Sequence, residues 1–99
     1  MKFQIEVDGK HAKEVSDFLD ENGIEYIFEF KLGAEFPQIF EIAKSIVELS
    51  LLLIGLYKIY QERRKRNEKI DINIIINNQR YNLALYTPEE IENEMKKEK

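Results

Sequence analysis

The side chains of this 99-residue sequence that could do chemistry are one histidine and two groups of charged residues. His11 is the sole imidazole, and it follows an Asp8-Gly9 turn, where it would be a lone general base. No serine lies in a nucleophile-elbow pattern, no glycine-rich phosphate loop is present, and there is no cysteine. We therefore predict no catalytic residue and no cofactor, and we interpret His11 as a surface histidine in a first helical turn.

The first charged group is acidic. Glu25 and Glu29 would share one face of a strand, with Glu6 on a neighbouring strand. Carboxylates are the ligands that Mg²⁺ and Ca²⁺ prefer. The sequence has no Asp-x-Asp spacing here and no partner histidine, so we interpret these residues as the solvated face of an open sheet and predict no metal site.

The second charged group is a basic cluster in a chain whose net charge is −4, and it consists of Arg63, Arg64, Lys65 and Arg66. These cations would complement the dipole of a helix C-terminus, bind phosphate or nucleic acid, or flank a membrane segment. We favour the first interpretation, since an acidic chain repels nucleic acid and only Tyr57 and Tyr60 lie close enough to stack on bases. Nucleic acid therefore remains an alternative partner that is not favoured.

Hydrophobic periodicity predicts the element order β-α-β-α-β-β-α. The predicted strands are 3–8, 24–31, 70–77 and 80–86. The predicted helices are 10–22, a long one that starts near residues 34–37 and continues to about residue 67, and one that begins at Thr87. Each strand has one apolar and one polar face. This pattern predicts one domain over residues 1–99, an α/β (α+β) two-layer sandwich with a four-stranded mixed sheet and one solvent-exposed sheet face.

Local signals predict where several elements begin and end. Asp8 is a candidate cap for the first helix, Asn22-Gly23 is a typical helix end, and Thr87 with Glu90 forms a capping box. We expect the tail 96–99 to fray.

The last two strands are predicted to form a hairpin with a turn at Asn78-Gln79. This turn would pair Ile76 with Tyr81, Ile74 with Leu83 and Ile72 with Leu85, and it would leave Asn73 and Asn82 in solvent.

The helix of about 30 residues is the most informative element, because residues 49–57 are apolar on every side. The positions that continue the polar stripe of its first half are Leu52, Gly55 and Ile59, with Leu51 and Leu56 beside them. One sheet layer covers only one side of a helix, so another subunit, a different protein, a bilayer or the C-terminal helix must cover the rest.

A bilayer is the least favoured of these covers, because the apolar run of nine residues is far below the ~20 that a spanning helix needs. We predict that a second chain covers the helix and that Gly55 allows the two backbones to approach closely.

The layout also resembles a known family. A strand-helix-strand unit is followed by the Leu32-Gly33-Ala34 turn, a long apolar helix that ends in the basic run 63–66, and an alternating hairpin over 70–85. Over about residues 2–86 this resembles the effector-associated constant component family, non-catalytic modules encoded beside effector domains of bacterial conflict and defence systems. The resemblance implies an adaptor or scaffold without an active site.

Together these features predict a cytoplasmic, non-enzymatic interaction module. We expect a homo-oligomer, or a complex with a protein effector, formed through Leu51, Leu52, Gly55, Leu56 and Ile59. The alternatives are a phosphate- or nucleic-acid-binding regulator that uses Arg63, Arg64, Lys65 and Arg66, and a membrane-surface protein.

Overall fold

The computed structural model describes residues 3–29, 36–42 and 46–97, and in this part of the chain it shows three α-helices and a five-stranded sheet. The elements are β1 (Phe3–Val7), a 3₁₀ turn (Gly9–His11), α1 (Ala12–Glu21), β2 (Tyr26–Glu29), β3 (Gln38–Ile42), α2 (Ile46–Lys65), β4 (Ile72–Ile76), β5 (Gln79–Asn82) and α3 (Pro88–Lys97). The strand order is β2-β3-β1-β4-β5, and every pairing is antiparallel. The α+β class is confirmed, whereas the prediction of four strands in a mixed sheet was wrong.

The additional strand, β3, lies where the sequence predicts the start of the long helix. Gln38, Phe40 and Ile42 are buried, and Ile39 and Glu41 between them are half-buried, so burial has the period of two that a strand produces. The backbone of β3 pairs with β1 on one side and with β2 on the other. The pairing of β3 with both neighbouring strands outweighs the helical pattern of the same residues.

Because residues Gln38–Ile42 form β3 and not the start of the long helix, α2 has 20 residues and not about 30. The predicted turn at 32–34 and the first part of the predicted helix start, residues 34 and 35, lie outside the described residues, and residues 36 and 37 are not helical.

The three helices pack on one face of the sheet, and their buried residues join the sheet in a single core. The strands contribute alternating side chains to this core, among them Phe3, Ile5 and Val7 of β1 and Ile72, Ile74 and Ile76 of β4. The opposite face carries Gln4, Glu6 and Arg80 and has no helix of the described chain on it.

The β4–β5 hairpin turns at Asn77 and Asn78, one residue earlier than predicted. Their φ angles of 49° and 70° are those of a type I′ turn, which asparagine tolerates better than glutamine does. The observed register pairs Ile76 with Gln79 and Ile74 with Tyr81, so the predicted pairs are shifted by two residues. A shift of two preserves the face of every side chain, and Ile74 and Leu83 are buried as expected.

Two consequences of this register contradict the sequence-based picture. Asn73 is 5% exposed, where solvent exposure was predicted, and its side-chain amide donates to Glu6 and Asp71 while its oxygen accepts from Asn82. Leu85 lies beyond β5 and is 76% exposed, so it has no partner in the sheet.

The helix ends largely follow their predicted signals. Gly23 has a φ of 64°, and the amide of the next residue donates to the carbonyl of Leu19, which closes α1. Thr87 and Glu90 form the predicted capping box, with reciprocal bonds of 3.0 and 3.2 Å. Asp8 does not cap with its side chain. The tail predicted to fray is helical as far as Lys97, and residues 98–99 lie outside the described residues.

Candidate functional site

One side of α2 is buried within its own chain. Leu49, Leu52, Leu53 and Leu56 are at most 2% exposed. Helix α3 also packs against α2 and contributes Ile91 and Met95 to the same core. Leu52 and Leu56, two of the predicted interface residues, are therefore buried within the chain itself and need no second chain to cover them.

Helix α1 lies antiparallel along α2 and explains the glycine in the middle of α2. A β-carbon added to Gly55 would lie 2.2 Å from Cζ and 2.5 Å from Cε1 of Phe18 on α1. Gly55 therefore admits an aromatic ring of the same chain, and this corrects the predicted approach of a second backbone at this position. Ile59, one turn further, is half-buried against the same core.

Among the α2 side chains that the structure describes, residues 48–65, the large apolar ones exposed to solvent are Leu51 and Ile54, at 70% and 45%. They are three residues apart and so lie side by side on the helix. We call these two residues the α2 patch. The sequence prediction included Leu51 and missed Ile54, although Ile54 is four residues before exposed Lys58 and so lies on the side of α2 that Lys58 leaves in solvent.

A hollow of about 210 Å³ adjoins the α2 patch between α2 and the end of α1. Phe18, Ile24 and Leu52 supply its apolar wall, and its rim is formed by Asn22, Gly23, Glu48 and Leu51. Exposed Leu51 therefore lies beside an apolar concave surface. This distinguishes it from a leucine that is exposed singly on a protein surface.

The basic cluster at the end of α2 is divided in two. The Arg63 guanidinium is bound within the chain: its Nε donates to Glu14 of α1 at 2.9 Å, its Nη2 donates to the same carboxylate, and its Nη1 donates to Glu68 at 3.1 Å. Hydrogen bonds to Glu14 and then to Glu68 raise the pKa of Arg63 further above its ordinary value. The hydrogen bond from Arg63 in turn lowers the pKa of Glu68.

The position of Glu68 follows from how α2 ends. Asn67 has a φ of 61°, and the amides of Asn67 and Glu68 donate to the carbonyls of Arg64 and Arg63. This is the hydrogen-bond pattern of a Schellman motif, with asparagine in the left-handed position. The motif folds the chain back so that the Glu68 carboxylate reaches the Arg63 side chain one turn earlier.

His11 lies beside this ion network and is buried, so its interpretation as a surface residue was wrong. Its Nδ1 is 2.7 Å from Asp8 Oδ2, and its Nε2 is 3.7 Å from Glu68 Oε1. Asp8 Oδ1 accepts from the amide of Asp71 at 2.8 Å. These contacts join the β1–α1 connection to the segment between α2 and β4.

The remaining members of the basic cluster, Arg64, Lys65 and Arg66, are exposed. Arg66 borders a broad groove of about 710 Å³ between α1 and α2. This groove carries both signs of charge, since Lys10, Lys13 and Lys58 face it together with Glu14, Asp17, Glu21 and Glu62. An anion would meet carboxylates as well as cations there.

Two members of the acidic group predicted on the open sheet face, Glu6 and Glu25, have described side chains. Glu6 forms an ion pair with Arg80 and accepts from Asn73 at 3.3 Å. Glu25 is exposed outside the strands, and the side chain of Glu29 lies outside the described residues. Within the described ranges no three His, Asp or Glu side chains are arranged to hold a metal ion.

Among the helices that the structure describes, none combines the length and the apolar character that crossing a membrane requires. No protein-family model, no curated protein and no solved structure matches the chain.

Proposed function

We propose that the chain is a non-enzymatic, cytoplasmic interaction module that docks a protein on the α2 patch. The observation that carries this proposal is the 70% exposure of Leu51 beside Ile54, on a helix whose other side forms the core. Covering a leucine or isoleucine contributes roughly 1.5–3 kcal/mol, so a partner that covers both gains binding energy at little cost in desolvation.

The proposal keeps the role that the sequence predicts and changes the residues that perform it. Leu52 is part of the wall of the hollow, Leu56 is core, and Gly55 admits Phe18. The adaptor role implied by the resemblance to effector-associated modules requires a docking surface of this kind and requires no active site.

A cross-linking experiment tests the proposal, and the chain offers a matched control. A photo-reactive amino acid is placed at position 51 or at position 85, since Leu85 is an equally exposed leucine on a different surface. In the producing cell, position 51 should yield a discrete protein adduct and position 85 should not. Equal adducts at both positions, or none at position 51, would contradict the proposal.

The two alternative functions have less support. A phosphate-binding regulator would have to rely on Arg64, Lys65 and Arg66, because Arg63 is held by two carboxylates of its own chain. A membrane-surface role would use the same α2 patch, but an overall acidic chain is repelled by anionic lipid.

A further inference from the structure

We propose that the protein docked on the α2 patch presents an amphipathic helix that carries acidic residues beside its apolar ones. This inference rests on the proposed function, because it names the chemistry of the partner that binds the same surface.

The first argument is the spacing of exposed side chains along α2. From Leu51 onwards, exposed side chains recur at intervals of three, four, three and four residues, and they are Leu51, Ile54, Lys58, Gln61 and Lys65. This is the spacing by which one helix packs lengthwise along another. At 100° per residue all five lie within about 80° of Leu51, and they span about 21 Å of the helix axis. We call these five residues the α2 seam.

The second argument is the order of chemistry along the α2 seam. Its first two members are apolar, and its two charged members, Lys58 and Lys65, are both basic. Neither lysine forms an ion pair with a residue that the structure describes, whereas nearby Arg63 is bound by Glu14 and Glu68. A helix that complements the seam therefore has apolar side chains opposite the α2 patch and carboxylates opposite the two lysines.

The third argument is the local excess of positive charge. Glu62, which borders the groove between α1 and α2 together with Lys58, is the one acid in the range 58–66. With Arg63 bound, four bases of that range remain exposed. Exposed charges act mainly within about 8–10 Å at physiological salt, so a partner that lies on the seam meets this excess and not the net charge of −4 of the whole chain.

The α2 seam also disfavours a second copy and a membrane as occupants. Two copies paired along the whole seam place Lys58 against Lys58 in either direction, and such like-charge contacts are unfavourable. A helix that lies on a membrane buries a broad apolar face, whereas the described part of α2 exposes two large apolar residues, Leu51 and Ile54.

Charge reversal on the seam tests the acidic partner, with the cross-linked adduct at position 51 as the readout. Lys58→Glu combined with Lys65→Glu should lower the yield of this adduct in the producing cell by about tenfold or more, because two carboxylates then face the acids of the partner. Lys58→Arg combined with Lys65→Arg keeps both charges and should keep the adduct.

Two exposed lysines of α3 provide the matched control. Lys96→Glu combined with Lys97→Glu reverses the same number of charges away from the seam and should leave the yield unchanged. Far-UV circular dichroism shows whether each variant keeps its fold.

The chemistry of the partner is read directly from the adduct. Mass spectrometry identifies the segment that position 51 contacts, and this segment should carry apolar residues at helical spacing with Asp or Glu one to three turns away. A synthetic peptide of that segment should bind the purified chain, and its affinity should fall as the salt concentration rises.

The outcomes separate this inference from the proposed function. An adduct that survives charge reversal undiminished, an equal loss in the α3 control, or a contacted segment without such acids overturns the acidic partner and leaves the proposed function intact. An adduct between two copies of this chain overturns the inference by identifying a different occupant, and so does binding to phosphatidylcholine–phosphatidylglycerol vesicles that Leu51→Glu abolishes. The absence of any adduct at position 51 contradicts the proposed function and this inference together.

Discussion

The close approach of Phe18 to Gly55 predicts the sign of the stability change in Gly55→Ala. A loss of stability is expected if the glycine makes room for the Phe18 ring, and a gain is expected if it does not. An added β-carbon at position 55 lies 2.2 Å from Phe18 Cζ, whereas two carbon atoms in contact prefer roughly 3.5–4.0 Å. The ring must therefore move by more than about 1 Å, and such overpacking costs roughly 1–3 kcal/mol. Alanine in a helix gains up to about 1 kcal/mol over glycine. Gly55→Ala should thus destabilise the wild-type chain by about 0–2 kcal/mol.

The same substitution in a Phe18→Ala background should stabilise the chain by up to about 1 kcal/mol, because no ring opposes the new methyl group. The coupling energy between the two positions is then about 1–3 kcal/mol. Urea unfolding of the four proteins, followed by circular dichroism at one low protein concentration, measures it. An equal gain from Gly55→Ala in both backgrounds would refute the reasoning. It would show that the contact between Gly55 and Phe18 of α1 imposes no cost on an added methyl group.

Three further predictions concern the hairpin, the ion network and the third helix. Ile74→Ala should cost about 2–5 kcal/mol as a core truncation. Asn73→Ala should cost about 0.5–1.5 kcal/mol, because its hydrogen bonds are lost but their partners Glu6, Asp71 and Asn82 are half-buried or exposed and can bond to water. Urea melts of both variants measure these costs. Glu68 has a lowered pKa in the folded chain, so its stabilising effect is present above its ordinary value of about 4.5 and is lost as the pH falls through the lowered folded value. The gap in unfolding free energy between wild type and Glu68→Gln should therefore be widest near neutral pH and narrow in acid, and a constant gap across the titration would count against the Arg63–Glu68 pairing. Thr87→Ala should cost about 0.5–2 kcal/mol, since the capping box at α3 is formed, and a thermal melt that matches the wild type would contradict this.

The elements that were predicted correctly are those whose local signals agree with their surroundings. β1, α1 and α3 each combine a clear hydrophobic period with a recognisable end, such as Gly23 after α1 or Thr87 before α3. The hairpin was predicted, but its turn lies one residue earlier and its cross-strand pairs are therefore shifted by two residues. Both Asn77-Asn78 and Asn78-Gln79 are acceptable turn sequences. Period alone does not distinguish the two, since a shift of two keeps the same side chains on the buried face.

The choice of Leu52 and Ile59 from the sequence has a single physical origin. The polar stripe of the long helix was extended from Glu41, but Glu41 belongs to β3, where side chains repeat every two residues. The extension therefore pointed to Leu52 and Ile59. Working backwards from exposed Lys58 in steps of four and seven residues leads instead to Ile54 and Leu51, the pair that the structure leaves in solvent.

The ion network and the hollow lie at opposite ends of the same contact between α1 and α2. Glu14 holds Arg63 near the start of α1, Phe18 meets Gly55 in the middle, and the hollow opens where α1 ends beside Leu51. These contacts therefore hold α1 against α2 along the length of α1, and the hollow lies at one end of this row. The Arg63–Glu14 pair thus joins the charged end of α2 to α1, while Leu51, which we propose as a docking residue, lies at the other end of the α1–α2 contact.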